Sequence, residues 1–268
     1  MISKIYKNTQ RWFPLLLLIV KRDFFKQFKG SYIGLGWMII VPILYLIIYT
    51  FVFTEIFNVR WGNAEDVNGK INFALFLFCG LTIFNFYSTI ISSGCSQLIS
   101  QRSTIIKIAF PVIVLPIGLT LNSLIAIVVP IVLIALLSVI YVDGFSFSFI
   151  YALLLFFPMF LSGLSIVLIV SATSIFFRDT IQIARVFVTF LMFISPVFYP
   201  STSIPEQYTS LFNINPLVIP IKSLRSIFLG TEPPSVNSII IYCFISLIFL
   251  LLSLIYFLRL KRGFADSL

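Results

Sequence analysis

Long apolar segments, separated by short charged or proline-rich stretches, dominate the pattern of hydrophobic and polar positions along this chain. Six of these segments are long enough to predict membrane-crossing helices, which need about 20 mainly apolar residues. Their bounds are 33–57, 73–99, 112–139, 149–177, 184–199 and 238–258. The pattern predicts an all-α integral membrane protein with one transmembrane domain over residues 1–268.

The segment 14–30 is apolar on one side only and too charged to cross a membrane. On a helix, one face carries the apolar side chains Leu17, Val20, Phe24 and Phe28, and the basic side chains Arg22, Lys26 and Lys29 lie roughly opposite. This pattern is typical of a helix that lies in the membrane interface, with its basic side towards phosphate headgroups. A plain basic anchor next to the first span explains the same pattern equally well.

The segment 200–234 breaks the regular alternation. It carries six prolines, yet it also contains apolar pieces that are too short to cross a bilayer. Because irregular backbone at membrane depth needs cover from protein or a water-filled cavity, we interpret this segment as re-entrant or interfacial helices. The alternative is an ordinary surface loop.

Composition and charge agree with a membrane protein and orient it. Hydrophobic residues make up 60% of the chain, charged residues 10%, and the mean hydropathy is +1.10, whereas soluble domains carry about 25% charged residues. With the N-terminus in the cytoplasm, fourteen of the 18 basic residues fall on the cytoplasmic side; the other four are Arg60, Lys70, Lys222 and Arg225. The positive-inside rule therefore predicts six spans with both termini in the cytoplasm.

Several kinds of chemistry are missing from the sequence. Histidine is absent, the five aspartates are scattered, and the three cysteines lie in apolar stretches, so we expect no catalytic residue, no metal site and no cofactor on this chain. There is also no GxxxxGK[ST] phosphate-binding loop. If transport here consumes nucleotide, another polypeptide hydrolyses it.

The connection between the second and third spans, 97–110, has the features of a short cytoplasmic helix that ends at Phe110-Pro111. Such a helix would couple the spans to a soluble motor protein. The candidate coupling residues are Gln97, Gln101, Arg102, Ile105, Lys107 and Phe110. A simple polar turn is an equally good interpretation of the same residues.

Aromatic residues make up 17% of the chain, and a few of them have positions that suit a sugar path. Trp37, Tyr45 and Tyr49 lie in the first span, with Tyr45 and Tyr49 at helical spacing. Rings of this kind stack on sugar faces, but a belt at the lipid interface explains them too. Just before them, Gly30 and Gly34 form a GxxxG pattern that we interpret as a hinge rather than as a packing motif.

Four groups of residues, in this order, resemble the permease subunit of the ABC type-2 polysaccharide exporters, especially those that export O-antigen or teichoic acid. The groups are Arg22-Asp23 with Phe28–Ser31, Gly34, Trp37 and Pro42; Ile105, Lys107, Phe110-Pro111 and Leu115-Pro116; Phe176–Asp179 with Ser195–Tyr199; and Asn215-Pro216 with Leu229-Gly230. They extend over nearly the whole chain. Each group alone is weak, and their combination is specific.

The resemblance implies a homodimer in the inner membrane, bound to two ATP-binding subunits that hold ATP and magnesium. The cargo would be a polysaccharide on a polyprenyl diphosphate, most simply O-antigen, with teichoic acid or a capsular polysaccharide as the alternatives. Spans one and five would line the conduit, which adds Phe198 and Tyr199 to its aromatic residues, and 200–234 would form the outer gate. Arg22, Lys26 and Lys29 would bind the diphosphate by charge complementarity.

Two rival classes of protein remain at this point. A polyprenyl-linked membrane transferase should show carboxylates or histidine clustered at one membrane surface, and this sequence shows no such cluster. A channel or a secondary carrier should function without a motor subunit. No part of the protein is expected to bind nucleic acid, because the basic residues form no continuous patch.

Overall fold

A computed structural model describes residues 2–52, 56, 67–102, 111–142, 149–208, 212, 215–229 and 236–267. Within these ranges the ordered elements are helices, and no strand occurs. The longer ones are α1 (Ile2–Lys26), α2 (Trp37–Phe51), α3 (Val67–Ser100), α4 (Val114–Tyr141), α5 (Phe149–Phe176), α6 (Thr180–Ile194), α7 (Val218–Phe228) and α8 (Val236–Leu260). The fold is that of an all-α integral membrane protein.

Five stretches of helix in the described part are long and apolar enough to cross a membrane. They are Gly34–Phe51, Ile71–Ser100, Val114–Tyr141, Ala152–Phe176 and Val236–Gly263. Each coincides with a predicted span, with shifts of a few residues at the ends. In the first predicted span, 33–57, the helix α2 ends at Phe51. Residues 53–55 and 57 of this span lie outside the described residues.

The predicted fifth span, 184–199, differs most from the structure. The helix α6 begins four residues earlier and ends at Ile194, because Ser195 has an extended backbone (φ −91°, ψ 146°). The cause is Pro196, since a proline disfavours the helical conformation of the residue before it. With 15 residues, α6 is about 22 Å long, which is shorter than the roughly 30 Å hydrocarbon core of a bilayer.

The core of the fold forms around α3. This helix packs against α2, α4, α5, α6 and α7, and α8 packs against α5. Two glycines allow α3 and α5 to approach closely: a Cβ on Gly94 would lie 2.9 Å from Val170, and one on Gly163 would lie 2.8 Å from Ile90. Small residues at such contacts are typical of helix pairs in membranes.

The N-terminal helix packs against α4, which the sequence did not predict. Ile19 is buried at this contact, and a Cβ on Gly118 of α4 would lie 3.3 Å from the Ile19 side chain. The predicted interface helix 14–30 also has different bounds, because α1 begins at Ile2 and ends at Lys26. In addition to the predicted apolar and basic faces, α1 thus has a third face, which is buried against α4.

Gly30 and Gly34 lie between α1 and the first span, and both have positive φ angles, +87° and +56°. Side chains rarely adopt this left-handed conformation, whereas glycine does so without strain. Nothing lies within 4 Å of the position of a Cβ at either glycine. The two glycines therefore provide a change of chain direction and not a close helix contact.

Candidate functional site

The exposed surface of α3 is a single polar stripe. From Ile71 to Ser100, the exposed side chains of this helix are Asn85, Thr89, Ser92, Ser96 and Ser100. Their spacing of three or four residues places them on one face. All other side chains in this range are at least partly buried. From Asn85 to Ser100 the stripe follows the helix for about 22 Å.

Two other long helices, α5 and α8, have the opposite polarity. On α8 the serines Ser246 and Ser253 are buried, whereas exposed side chains such as Ile241 and Phe244 are apolar. On α5 the serines Ser162 and Ser165 are likewise buried. A helix that faces lipid is expected to expose apolar side chains and to bury polar ones. The exposed surfaces of α5 and α8 have this pattern, whereas that of α3 does not.

The stripe therefore requires a polar environment. Ser96 and Ser100 donate hydrogen bonds to carbonyl oxygens of their own helix, those of Ser93 and Gln97. Within the described part of the chain, Asn85, Thr89 and Ser92 have no hydrogen-bond partner. An unsatisfied polar group in hydrocarbon costs several kcal/mol. The stripe is thus suited to contact with water or with a polar cargo, and it contains no charge.

The short helix α6 lies beside α3, where Cys95 Sγ is 3.9 Å from the carbonyl oxygen of Thr180. Its exposed surface is mixed. Gln182, Arg185 and Thr189 supply polar groups, and the exposed apolar side chains are Ile183, Val186, Phe187, Phe190 and Phe193. From Val186 to its end at Ile194, this helix carries no charged residue.

A buried arginine connects the end of α6 to α3 and α7. Arg225 in α7 is only 6% exposed and donates hydrogen bonds to the carbonyl oxygens of Phe76, Val197 and Tyr199 at 3.1, 2.6 and 3.3 Å. The guanidinium carbon also lies 3.4 Å from the centre of the Phe76 ring, a cation–π contact. No described carboxylate lies within 4 Å of this side chain.

Burial lowers the pKa of the Arg225 guanidinium from 12.5 to about 9, so the side chain remains charged at neutral pH. Carbonyl dipoles and an aromatic ring replace the missing anion. Since α7 has only 11 residues, or about 16 Å of helix, it is too short to cross a membrane. Arg225 fixes this short helix and the chain after α6 to the central helix.

Gly80 is the residue of α3 that makes room for this contact. A Cβ at position 80 would lie 2.8 Å from Nη2 of Arg225 and 2.9 Å from the carbonyl oxygen of Val197. The second of these atoms belongs to the backbone and cannot rotate away. The close approach therefore requires glycine.

A second polar link joins the same two segments. The Asn215 side-chain amide donates a hydrogen bond to Ser195 Oγ at 2.8 Å, and its oxygen accepts one from the Leu217 N–H at 2.9 Å. Ser195 is fully buried. Ser195-Pro196 and Asn215-Pro216, twenty residues apart in sequence, are thus adjacent in the fold. They form the joint between α6 and the start of α7.

A large apolar cavity of about 610 Å³ lies between α5, α6 and α8. At its wall three buried hydroxyl groups meet: Tyr87 is 2.7 Å from Ser162 and 2.6 Å from Tyr242, and Ser162 is 2.9 Å from Tyr242. These groups satisfy one another. They connect α3, α5 and α8 and stabilise the helix bundle.

The predicted diphosphate-binding residues lie on the surface of the N-terminal region. Arg22, Lys26 and Lys29 are all exposed. Arg22 forms an ion pair with its neighbour Asp23 at 2.8 Å, so part of its hydrogen-bonding capacity is already used. Lys26 and Lys29 form no ion pair with a described residue.

The predicted aromatic residues do not form one surface. Trp37 is partly exposed and donates a hydrogen bond to Ser31 Oγ at 3.0 Å. Tyr45 is exposed, and its ring lies 6.1 Å from that of Tyr49, which packs against the core. Phe198 packs against the cluster of Phe73, Phe76 and Leu77. Tyr199 donates a hydrogen bond to the carbonyl oxygen of Phe193 at 2.9 Å.

The predicted coupling residues are only partly described. Gln97 lies in the last turn of α3, where its amide nitrogen donates to the carbonyl oxygen of Leu115 at 2.8 Å and its buried amide oxygen has no hydrogen-bond partner. Gln101 and Arg102 follow at the end of this helix. Ile105, Lys107 and Phe110 lie outside the described residues, and so does any helix they form.

Sequence reasoning missed the two most specific features of this site. The polar stripe was detectable, because its members recur every three or four residues within an apolar helix. Arg225 was only placed on the external side, although an arginine inside the apolar piece SLRSIFLG is an unusual feature. Gly80 had no signal of its own, because its role depends on a residue 145 positions away.

Comparison with known proteins gives consistent results. The family model described as ABC-2 type transporter matches residues 14–229. The O-antigen export system permease protein RfbA of Myxococcus xanthus is 23% identical over 267 residues, 99% of this chain and 99% of that protein. Two proteins of the same description from Klebsiella pneumoniae are each 26% identical over 100% of both chains, across 272 and 277 residues.

Proposed function

The chain belongs to the ABC-2 type transporter family, and we propose that it is the membrane permease subunit of an ATP-driven exporter for a polysaccharide linked to a polyprenyl diphosphate. The cargo we favour is O-antigen, because the relatives named as O-antigen export permeases match the chain from end to end. Teichoic acid and capsular polysaccharide remain as alternative cargoes of the same chemical class.

The polar stripe on α3 is the observation that supports this function most directly. A polysaccharide in transit offers many hydroxyl groups, which must exchange hydrogen bonds with the wall as the chain slides. Neutral serine, threonine and asparagine side chains both donate and accept such bonds. A wall of this kind holds each sugar weakly, whereas a charged site would retain it. Conduction needs binding that also permits release.

The assembly follows from what one copy lacks. The sequence has no phosphate-binding loop, so ATP and magnesium would bind to two separate ATP-binding subunits. A single copy would leave its polar stripe towards lipid, whereas two copies can enclose it. We therefore propose a homodimer, located in the inner membrane with both termini in the cytoplasm, as the distribution of basic residues favours.

The end of α3 and the connection after it would receive the stroke of the ATP-binding subunits. Gln97 supports this role, because its hydrogen bond to the carbonyl oxygen of Leu115 ties the end of α3 to the start of α4. A movement at 101–110 would therefore reach two spans at once. Gln101, Arg102, Ile105, Lys107 and Phe110 complete the proposed contact.

The exposed cations of the N-terminal region would bind the diphosphate of the cargo. Lys26 and Lys29 have the stronger claim, because Asp23 already neutralises part of the charge of Arg22. Reversal of charge at Lys26 and Lys29 should lower export while the amount of protein is unchanged. Full export by this variant would exclude the assignment.

Removal of the chain from its own cell tests the proposed function. We expect the cell to accumulate a lipid-linked polysaccharide on the inner face of its membrane and to lose that polysaccharide from its surface, and re-expression should restore export. Chemical analysis of the accumulated glycan then identifies the cargo. If the lipid-linked glycan is never made in the deleted strain, the chain acts in synthesis, as a transferase would, and the proposal is wrong.

A further inference from the structure

A second, smaller cavity of about 150 Å³ lies between α2, α3 and α4, at the end of the polar stripe that begins with Asn85. Its wall includes the ring of Tyr45 from α2 and the polar side chains of Thr82, Asn85 and Thr89 from α3. Ser123 of α4 completes the polar part. No charged side chain lines it.

The cavity lies close to the middle of all three helices. Tyr45 is near the centre of Trp37–Phe51, Asn85 is near the centre of Ile71–Ser100, and Ser123 to Pro130 include the centre of Val114–Tyr141. In a membrane this is the depth at which an unsatisfied polar group is most costly. A cavity with polar groups in its wall at this depth is therefore expected to hold a polar molecule.

Ser123 supplies an unsatisfied group of this kind. It is only 4% exposed, and its hydroxyl has no hydrogen-bond partner. Most other buried serines and threonines of the spans donate to a carbonyl oxygen three or four residues earlier in their own helix: Thr82, Thr120, Ser138, Ser162, Ser165, Ser171, Ser174 and Ser253. Ser246 is instead hydrogen-bonded to the Tyr242 side chain. Ser123 departs from this rule at a position that lines the cavity.

A proline interrupts the helical hydrogen bonds in the wall of the cavity. Pro130 has no backbone N–H, so it cannot donate to the carbonyl oxygen of Ala126 four residues earlier. Both residues line the cavity. Asn85 and Thr89, also without a described hydrogen-bond partner, add donors and acceptors where the cavity meets the stripe.

We propose that this cavity is a carbohydrate subsite, which binds one sugar ring of the glycan halfway through the membrane. This inference rests on the proposed function. The Tyr45 ring provides a flat apolar surface for the face of the sugar, and the hydroxyl and amide groups of Ser123, Asn85 and Thr89 bind its rim. An apolar pocket with a few placed polar groups is the usual form of a site for a small molecule.

The size of the cavity limits its occupant to one ring. Sites for drug-sized ligands have volumes of about 300–1,000 Å³, which is about two to seven times the volume of this cavity. The cavity has the volume of roughly five water molecules at about 30 Å³ each. Binding without charge is also weak enough to let the chain advance. The subsite would therefore favour particular sugars in the passing chain without stopping it.

Export by the intact complex in its native cell tests the subsite. Ser123→Ala and Tyr45→Leu should each slow the appearance of pulse-labelled glycan at the cell surface about threefold to tenfold, the effect of one lost neutral contact, and Tyr45→Phe should retain most of the rate because it keeps the ring. The control is Ser138→Ala, a buried serine of the same helix that is already bonded to the carbonyl oxygen of Ala135; it should export normally.

Cysteine labelling detects the occupant directly. In the complex with Thr89→Cys, a small water-soluble thiol reagent should react more slowly in membranes that contain the lipid-linked glycan than in membranes from cells that cannot make it. Equal labelling in both membranes, which water alone in the cavity predicts, would overturn the subsite. So would normal export by both Ser123→Ala and Tyr45→Leu. Because deletion of the whole chain tests the exporter function separately, failure of the subsite leaves that result unchanged.

Discussion

Arg225 is a cation inside the protein whose charge is balanced by dipoles rather than by a carboxylate. Its three hydrogen bonds all end on backbone carbonyl oxygens, two of which belong to the chain just after α6. Breaking a buried arrangement of this kind commonly costs about 3–5 kcal/mol. The arginine therefore links α7 and the chain after α6 to the central helix α3.

The space for the Arg225 side chain depends on Gly80, and the variant Gly80→Ala tests this dependence. We expect a loss of about 1–3 kcal/mol of stability, the usual cost of overpacking, because the new methyl group would meet Nη2 of Arg225 and the carbonyl oxygen of Val197 below 3.0 Å. Thermal unfolding of the purified complex measures it.

Gly118→Ala is the matched control for Gly80→Ala. It adds the same methyl group to a helix glycine, but its nearest neighbours are side-chain methyl groups of Ile19, Leu16 and Val20 at 3.3, 3.9 and 3.9 Å, and none of these three atoms belongs to the backbone. We expect a clearly smaller effect there. Equal melting temperatures for Gly80→Ala and the unmodified protein would show that the structure around Arg225 accommodates the extra methyl group. The close contact of Arg225 with α3 would then not stabilise the fold.

Single residues were the least predictable part of this molecule. Pro196 accounts for the end of α6 at Ile194 through its local effect on Ser195, although the predicted span continued to residue 199. The pairing of Ser195 with Asn215 and that of Gly80 with Arg225 are contacts between distant segments. No local pattern contains them, so the sequence predicted the separate residues but not their meeting.

At the scale of the helices, α3 has polarity opposite to that of α8. The two helices contain similar residue types, yet serines face outwards on α3 and inwards on α8. The difference indicates different surroundings, since lipid accepts apolar side chains and excludes unsatisfied polar ones. The whole exposed face of a central helix is thus reserved for polar contact.

Replacement of stripe residues by apolar ones should slow transport strongly without harming the fold. For Ser92→Leu combined with Ser96→Leu we expect export to fall roughly tenfold or more, because each lost hydrogen bond removes about 1 kcal/mol and the wall becomes apolar. The amount of protein in the membrane should be unchanged. Surface glycan per molecule of permease is the measurement.

The control for the stripe carries a similar change elsewhere. Asn237→Leu replaces an exposed polar residue of α8, away from α3, and we expect it to export normally. If the double leucine variant exported as well as this control, the stripe would have no part in transport, and the observation that best supports the proposed function would be withdrawn.

The sequence predicted the helices well where apolar length decides, and less well where tertiary contacts do. Five predicted spans coincide, within several residues, with helices that are long and apolar enough to cross a membrane, because runs of this length and composition have few alternatives. The third face of α1 was missed, since Ile19 looks no different in the sequence from its exposed neighbours Leu17 and Leu18 until α4 is placed beside it. Helical periodicity could have found the stripe on α3, because it depends on that helix alone.

At the scale of the whole molecule, one copy of the chain would be incomplete as the proposed conduit. The stripe of α3 is open to the outside of the monomer, and α2 and α6 beside it expose large apolar side chains such as Ile47, Phe190 and Phe193. An arrangement of two copies can cover these apolar faces and turn both stripes towards a shared path. Closed two-fold dimers are the commonest way to satisfy such a surface.

Cross-linking between two copies tests this arrangement. In a chain whose single reactive cysteine is Ser92→Cys, a water-soluble bifunctional maleimide should join two copies into a product of twice 30.5 kDa, because both thiols would face the same aqueous path. The native cysteines interfere little, since Cys79 and Cys95 are buried, and Cys243 can be replaced by serine. The matched control is Ile241→Cys on the apolar face of α8, which should give no product, because a thiol in lipid stays protonated and unreactive. Cross-linking at position 241 but not at 92 would place α8 at the dimer interface and leave the stripe of α3 outside any shared path.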